Sequence, residues 1–311
     1  MVPPALCRGP PEGKREAAAS AAEREAEWTR HKAGVTVLFS SMIEGAQDMT
    51  NPHGSWIWYE LMTPDAQASR AFYEAVIGWR IDAESMAPGG TEYRILHAPD
   101  GDVGGMLTLD AAMLAGGAKA GWLGYIGVDD VDASVAQLKA AGGSVHVPPT
   151  DIPGTGRFAM VADPQGVPFY VMRGSSPESS TAYARFGEGH VSWNELQTSD
   201  AEAGLAFYGT VFGWERAGGM PMPWGEYSFL RCKDAGDAMD VVWGAMMPRE
   251  CDDKPVGWTY YFRVPDIEAA HAKVKELGGT PHSDPMEVPG GDRVFHATDP
   301  QGAVFGLVAP K

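Results

Sequence analysis

The sequence has little cysteine, little positive charge and no long apolar run, and each shortage closes off a class of protein. Cys7, Cys232 and Cys251 are its three cysteines. They are odd in number, far apart and form no Cys-x-x-Cys pair, so neither a disulfide framework nor a structural zinc site is indicated. That fits a reducing compartment, and a cytoplasmic location is expected. Against 41 Asp and Glu stand 24 Lys and Arg, a formal charge of −17. Such a surface repels phosphate backbones and anionic bilayers, which argues against nucleic acid and membrane as partners. No stretch approaches the ~20 apolar residues of a membrane span. Near the N-terminus the longest apolar run, Val35–Phe39, is interrupted by Thr36, too short for the core of a signal peptide.

Residues 1–48 differ from the rest. Pro3, Pro4, Pro10 and Pro11 open them, and an Ala/Glu/Arg-rich run follows from Lys14 to Lys32. Apart from Trp28 this run has almost nothing to bury, so a disordered or weakly helical extension without a catalytic role is expected.

The strongest feature present is an internal repeat. Gly54-Ser-Trp-Ile-Trp-Tyr-Glu-Leu-Met-Thr-Pro-Asp65 is echoed by Gly189-His-Val-Ser-Trp-Asn-Glu-Leu-Gln-Thr-Ser-Asp200. Phe72-Tyr73 returns as Phe207-Tyr208 and Gly78-Trp79 as Gly213-Trp214, all 135 positions on. Gly121-Trp122, Gly142-Gly143 and Asp163-Pro-Gln-Gly166 return 136 positions on, at Gly257-Trp258, Gly278-Gly279 and Asp299-Pro-Gln-Gly302. The chain therefore reads as two domains, 52–174 and 187–311, with Ser175–Ser180 as linker. Each copy contains a weaker half-repeat. A strand (Trp56–Met62) precedes a helix (Asp65–Ile77), which has Thr63 as expected N-cap and Pro64 at its first position. Some 65 residues later a strand (Trp122–Val128) precedes a helix (Val131–Ala141) that ends at Gly142. Three short strand-like runs follow each helix, giving a βαβββ unit four times over.

A strand, a helix containing Phe-Tyr, a Gly-Trp, and a second half closing on Asp-Pro-x-Gly resemble the vicinal oxygen chelate superfamily, the glyoxalase/bleomycin-resistance/dioxygenase-like proteins. Trp-x-Glu-Leu-x-Thr-x-Asp most resembles tandem "hydroxylase"-type members of it. The resemblance implies an α+β fold of two tandem domains. In each, two βαβββ modules would curl into an eight-stranded cup that holds a ligand and, in most enzymes of the family, a divalent metal. Members include isomerases, dioxygenases and drug-binding proteins, so the fold leaves the reaction open.

The family's metal-ligand positions carry poor ligands here. The first-strand position is Trp58 in one copy and Trp193 in the other. In the second modules it is Leu123 and Thr259, and the position after Asp-Pro-x-Gly holds Tyr170 and Gly306. The last position falls near Gly105–Leu107 and Gly244–Met246, which contain no His or Glu. None suits a divalent cation, so no cofactor is expected. His146 and His282 are the histidines repeated at one offset, and they are expected at the surface.

Residues two apart share a strand face, so Glu60 is expected beside Trp58 in one cup and Glu195 beside Trp193 in the other. Tyr125 and Tyr261 should face inward too. If Asp163-Pro-Gln-Gly166 is a tight hairpin turn, Ala159 opposes Tyr170 and Arg157 opposes Met172. Arg157 would then share the cup with Tyr170 and Glu60, and Arg293 would share the other with Glu195. Trp122, Trp224 and Trp243 are further candidates for the aromatic mouth, although Trp122 and Trp258 are also expected to face the helices. The candidates are thus Glu60, Glu195, Arg157 and Arg293 for acid–base work, and Trp58, Tyr125, Tyr170, Trp193 and Tyr261 for binding. Three functions stay open: a metal-free cup that binds or acts on a small organic molecule, a metal-dependent lyase, isomerase or dioxygenase with non-standard ligands, and a scaffold without ligand. A monomer or homodimer fits all three.

Overall fold

A computed structural model describes residues 51–86, 90–233, 235–236 and 241–311. The extension at 1–48 lies outside the described residues. In the first copy the elements run β1 (Trp56–Thr63), α1 (Ala66–Ile77), β2 (Arg80–Ile81), β3 (Tyr93–Ala98), β4 (Gly101–Thr108) and a short α2 (Ala111–Ala115). The second module follows as β5 (Gly121–Gly127), α3 (Val131–Ala140), β6 (Ser144–Ile152), β7 (Gly156–Ala162) and β8 (Pro168–Gly174). The second copy repeats this with β9 (Val191–Thr198), α4 (Ala201–Phe212), β10 (Trp214–Met222), β11 (Gly225–Cys232) and β12 (Gly244–Pro248). Its last module is β13 (Gly257–Arg263), α5 (Ile267–Glu276), β14 (Thr280–Pro281), β15 (Met286–Glu287), β16 (Arg293–Thr298) and β17 (Val304–Ala309). No helix among the described residues is long and apolar enough to cross a membrane.

Each copy makes its own mixed sheet. The orders are β2-β3-β4-β1-β5-β8-β7-β6 and β10-β11-β12-β9-β13-β17-β16-β14, with β15 paired to β16. The two modules of a copy join where their first strands run antiparallel, β1 on β5 and β9 on β13. The expected architecture of two tandem curled sheets is present. One detail differs: the cap of α1 is Asp65, which accepts from the Ala68 N–H, while Thr63 holds the Asp65 N–H from outside the helix. Proline at position 64 therefore lies before the helix rather than in its first turn.

The helix-bearing faces of the two sheets meet in one apolar core that runs through both copies. Trp56 packs against Trp214, Trp243, Trp258 and Tyr260 of the other copy, at ring separations of 5.0–5.9 Å. Trp79 packs at 5.0 Å on Phe262. Each such ring removes roughly 150–250 Å² from water, so this junction carries much of the stability. Several of its polar atoms are matched in mirrored pairs, while the indole N–H groups of Trp56 and Trp243 are buried without a hydrogen-bond partner among the described residues. Trp79 Nε1 donates to Gly189 O, and Trp214 Nε1 to Gly54 O. Tyr73 donates to Asp299, and Tyr208 to Asp163. The repeat is broken near the middle of the junction. Tyr59 donates to Asn194, its own counterpart, and Tyr260 accepts from the N–H of Gly124, its own counterpart. A Cβ on Gly124 would lie 2.3 Å from the Trp56 ring and 2.9 Å from the Tyr260 hydroxyl. Trp122 and Trp243 belong to this core, which removes them from the mouth of either cup.

Candidate functional site

The opposite, concave faces carry the candidate residues. Cross-strand pairing sets them in rows. In the first copy Trp58 lies beside Tyr125, Tyr125 beside Tyr170, and Tyr170 beside Met160. The same row in the second copy is Trp193, Tyr261, Gly306 and His296. One step along, Glu60 lies between Gly105 and Leu123, and Glu195 between Ala245 and Thr259.

Both glutamates end among tyrosines. Glu60 is fully buried and accepts from the hydroxyls of Tyr125 at 2.8 Å and Tyr170 at 3.0 Å. Tyr93 also bonds it, and the Tyr93 hydroxyl accepts from Trp58 Nε1 at 3.0 Å. Glu195 accepts from Tyr227 at 2.7 Å and from Tyr261 at 3.1 Å, and Tyr227 accepts from Trp193 Nε1 at 2.8 Å. Burial, and then the adjoining carboxylate, push all five phenols far above their ordinary range. They keep their protons and serve as donors, so hydroxyls replace the water each carboxylate gave up.

Tyr93, Tyr227 and His296 did not emerge from the sequence as site residues. The tyrosines were legible, since Glu92-Tyr93 is echoed by Glu226-Tyr227 at a spacing of 134. His296 was not, because Met160 occupies its place in the first copy. Its side chain is 34% exposed and its Nε2 lies 3.7 Å from Glu195 Oε1. The same nitrogen forms a short hydrogen bond with the Tyr261 hydroxyl.

Arg157 and Arg293 are elsewhere. Arg157 pairs with Asp132 of α3 at 2.6 Å and with Asp151 at 2.8 Å. Arg293 pairs with Glu268 of α5 at 2.6 Å. Both lie on the helix side, and the expected Glu60–Arg157 and Glu195–Arg293 pairs do not form. The reason is register. Asp163 and Val167 close the β7–β8 hairpin around Pro164, Gln165 and Gly166, and Gly166 takes φ +86°. That extra left-handed residue makes Met160, not Ala159, the partner of Tyr170, and Phe158 the partner of Met172. A slip of one residue sends every side chain of a strand to the other face.

The donors present do not fit the family's metal centre. Its positions hold indole, leucine, threonine, phenol and glycine, and the indoles are spent as donors to tyrosine. Among the described residues no three His, Cys, Asp or Glu side chains converge.

Comparison with known proteins sets these sites in a family. A model of the Glyoxalase/Bleomycin resistance protein/Dioxygenase superfamily matches residues 55–171 and again 189–307. "Putative glyoxylase CFP32" of Mycobacterium tuberculosis is 33% identical over 258 residues, 81% of this chain and 94% of the relative. "Anthracycline biosynthesis protein DnrV" of Streptomyces peucetius is 29% identical over 283 residues, 82% of this chain and 93% of the relative. Among solved structures, the Mn(II)-bound glyoxalase from Novosphingobium aromaticivorans superposes with a TM-score of 0.55 at 19% identity, covering 83% of this chain and 82% of that one. The 2,3-dioxygenase LapB from Pseudomonas sp. KL28 gives 0.56 at 14%, covering 84% and 93%.

Proposed function

The chain belongs to the Glyoxalase/Bleomycin resistance protein/Dioxygenase superfamily, and on that footing we propose that it binds a small organic molecule on a concave sheet face, with a tyrosine-bound glutamate in place of the family's metal. The observation that carries this reading is the Glu–Tyr–Trp constellation at equivalent places in both copies: Glu60 with Trp58, Tyr125 and Tyr170, and Glu195 with Trp193 and Tyr261. Aromatic faces around a buried polar centre suit a flat, mostly apolar ligand held by a few directed bonds. The name of the Streptomyces peucetius relative, from anthracycline biosynthesis, fits such a ligand.

The chemistry available is proton transfer. Each oxygen of Glu195 accepts from one tyrosine and keeps a second lone pair, so a ligand O–H or an activated C–H can be met by that glutamate as acceptor. The tyrosines fix the carboxylate's orientation and stay protonated. Arg157 and Arg293 have no part in this.

A thermal-shift panel of aromatic acids, quinones and phenols, run on dialysed protein with and without chelator, tests the reading. A hit that survives chelator, and that Glu195→Gln or Glu60→Gln weakens at least tenfold, is the expected result. A panel in which nothing binds, or in which binding needs an added metal, overturns it.

A further inference from the structure

We propose that the second copy alone holds the ligand, at a site built on Glu195, Tyr261, His296, Thr259 and Trp193, and that the first cup is a filled, structural counterpart. This rests on the small-molecule reading above and narrows it.

Three equivalent positions near the glutamates exchange a bulky or apolar side chain for a smaller or polar one, while Gly105 beside Glu60 becomes Ala245 beside Glu195. Leu123, Tyr170 and Met160 of the first copy are Thr259, Gly306 and His296 of the second. In the first cup the Tyr125 and Tyr170 rings stack at 4.2 Å, and with Leu107, Leu123, Val147 and Phe158 they close the concave face over Glu60. No ring stands at Gly306. The Tyr261 ring lies across that glycine instead, 2.5 Å from where a Cβ would be, so a second phenol cannot stack there unless Tyr261 moves. Thr259 and His296, where the first cup has the buried Leu123 and the apolar Met160, are half-exposed beside it.

The same exchange installs a path for a proton. Tyr261 has one hydroxyl hydrogen and two acceptors in reach, Glu195 Oε1 and His296 Nε2. When it points to Glu195, His296 must donate to the phenol oxygen. When it points to His296, Glu195 is free to take a proton from a bound molecule. A proton can therefore pass between Glu195 and the half-exposed imidazole without either group moving. Met160 offers the first cup no such carrier.

The walls define the ligand. The β10–β11 hairpin brings Met220 and Met222 to the cluster of Tyr227, Phe229, Met247 and Trp193. Unbranched methionines adapt to a flat guest. The Arg185 guanidinium lies over the Trp193 ring, 5.7 Å from its centre, and adds positive charge at this rim. The class that fits is a flat aromatic molecule bearing one acidic group.

Isothermal titration of the full chain with 2-naphthoate and with its uncharged methyl ester decides the matter. The expected result is one naphthoate per chain and at least tenfold weaker binding of the ester. Thr259→Leu with His296→Met, which gives the second cup two side chains of the first, should weaken naphthoate at least tenfold. Leu123→Thr in the first cup should not. If the double variant fails to melt cooperatively, Thr259→Leu alone carries the same expectation. Binding heat should depend on buffer ionisation enthalpy in the natural chain and lose that dependence in His296→Met. Two naphthoates per chain, or undiminished binding to the second-cup variants, overturn the assignment while leaving the small-molecule reading intact. Heat independent of buffer in the natural chain overturns the proton path. A chain that binds other panel compounds but neither naphthalene overturns the ligand class.

Discussion

The hydroxyl of Tyr73 reaches across the junction between the copies and donates to the Asp299 carboxylate at 3.0 Å. Trp122 Nε1 donates to the same oxygen of Tyr73. Tyr73→Phe removes a donor and an acceptor together, so it leaves a buried carboxylate and a buried indole N–H each short of a partner. A loss of about 1–3 kcal/mol is expected. For a body of this size that is roughly 2–4 °C of melting temperature per kcal/mol. Tyr208→Phe, the mirrored change, should behave alike, and a melting temperature unmoved by either substitution would mean the junction is wet.

The two glutamates should separate cleanly. Glu60 is sealed beneath stacked rings, and Gln at that place turns an amide N–H₂ toward hydroxyls that are themselves donors. Glu60→Gln should cost about 2–3 kcal/mol, the scale of a lost hydrogen bond to a charged group. Glu195→Gln should cost less, because Tyr261 can turn its hydroxyl to His296 instead, while ligand binding falls. Chemical denaturation of the two variants side by side checks this, and equal losses would count against unequal cups.

Arg157 offers a contrast. Its partners Asp132 and Asp151 are well exposed, and solvent screens such pairs so that they add little to stability. Arg157→Ala should change the denaturation midpoint little and binding not at all. A loss of binding would put Arg157 back in the cup.

Acid should loosen one specific contact. The His190 ring is enclosed, with Nδ1 2.7 Å from Thr181 O and Nε2 2.6 Å from Asp100 Oδ1. The His190 hydrogen bond, ahead of its charge, holds the Asp100 carboxyl below its ordinary range. A carboxyl lowered on folding stabilises fully above its unfolded value of about 3.9 and ceases to do so as pH falls through its folded value. Asp100→Asn should therefore flatten the acid limb of a melting-temperature profile below about pH 4. An unchanged limb would show that the pair adds nothing.

Metal analysis bears on the chemistry directly. Dialysed protein should carry well under one Zn, Ni, Mn or Fe per cup, and chelator should leave its melting temperature where it was. Tight stoichiometric metal would favour a metal-dependent reaction through ligands outside the family pattern.

The repeat made the fold readable, because Trp, Gly and Pro recur 135 or 136 positions on and each has a structural reason to stay. The glutamates followed from two-residue alternation along β1 and β9. The arginines did not, because β7 gives no polarity to set its register: Phe158, Ala159, Met160 and Val161 are apolar on both faces. Only the left-handed Gly166 decides which way they point, and Asp-Pro-Gln-Gly is compatible with either turn. The difference between the cups was hidden for another reason. Its signal lies in the disagreement between copies at Leu123/Thr259, Met160/His296 and Tyr170/Gly306, whereas a search for repeats rewards agreement.

The broken symmetry at Tyr59–Asn194 and Tyr260–Gly124 has a consequence for assembly. Most of the junction is self-complementary, as a two-fold dimer interface would be. Near its middle, large faces small. A first copy meeting another first copy would bring Tyr59 against Tyr59 and leave a void between two Gly124 residues. A second copy meeting a second would crowd Tyr260 against Tyr260. Expressed as separate polypeptides, the halves would choose each other over themselves, so covalent linkage joins two partners that are no longer interchangeable.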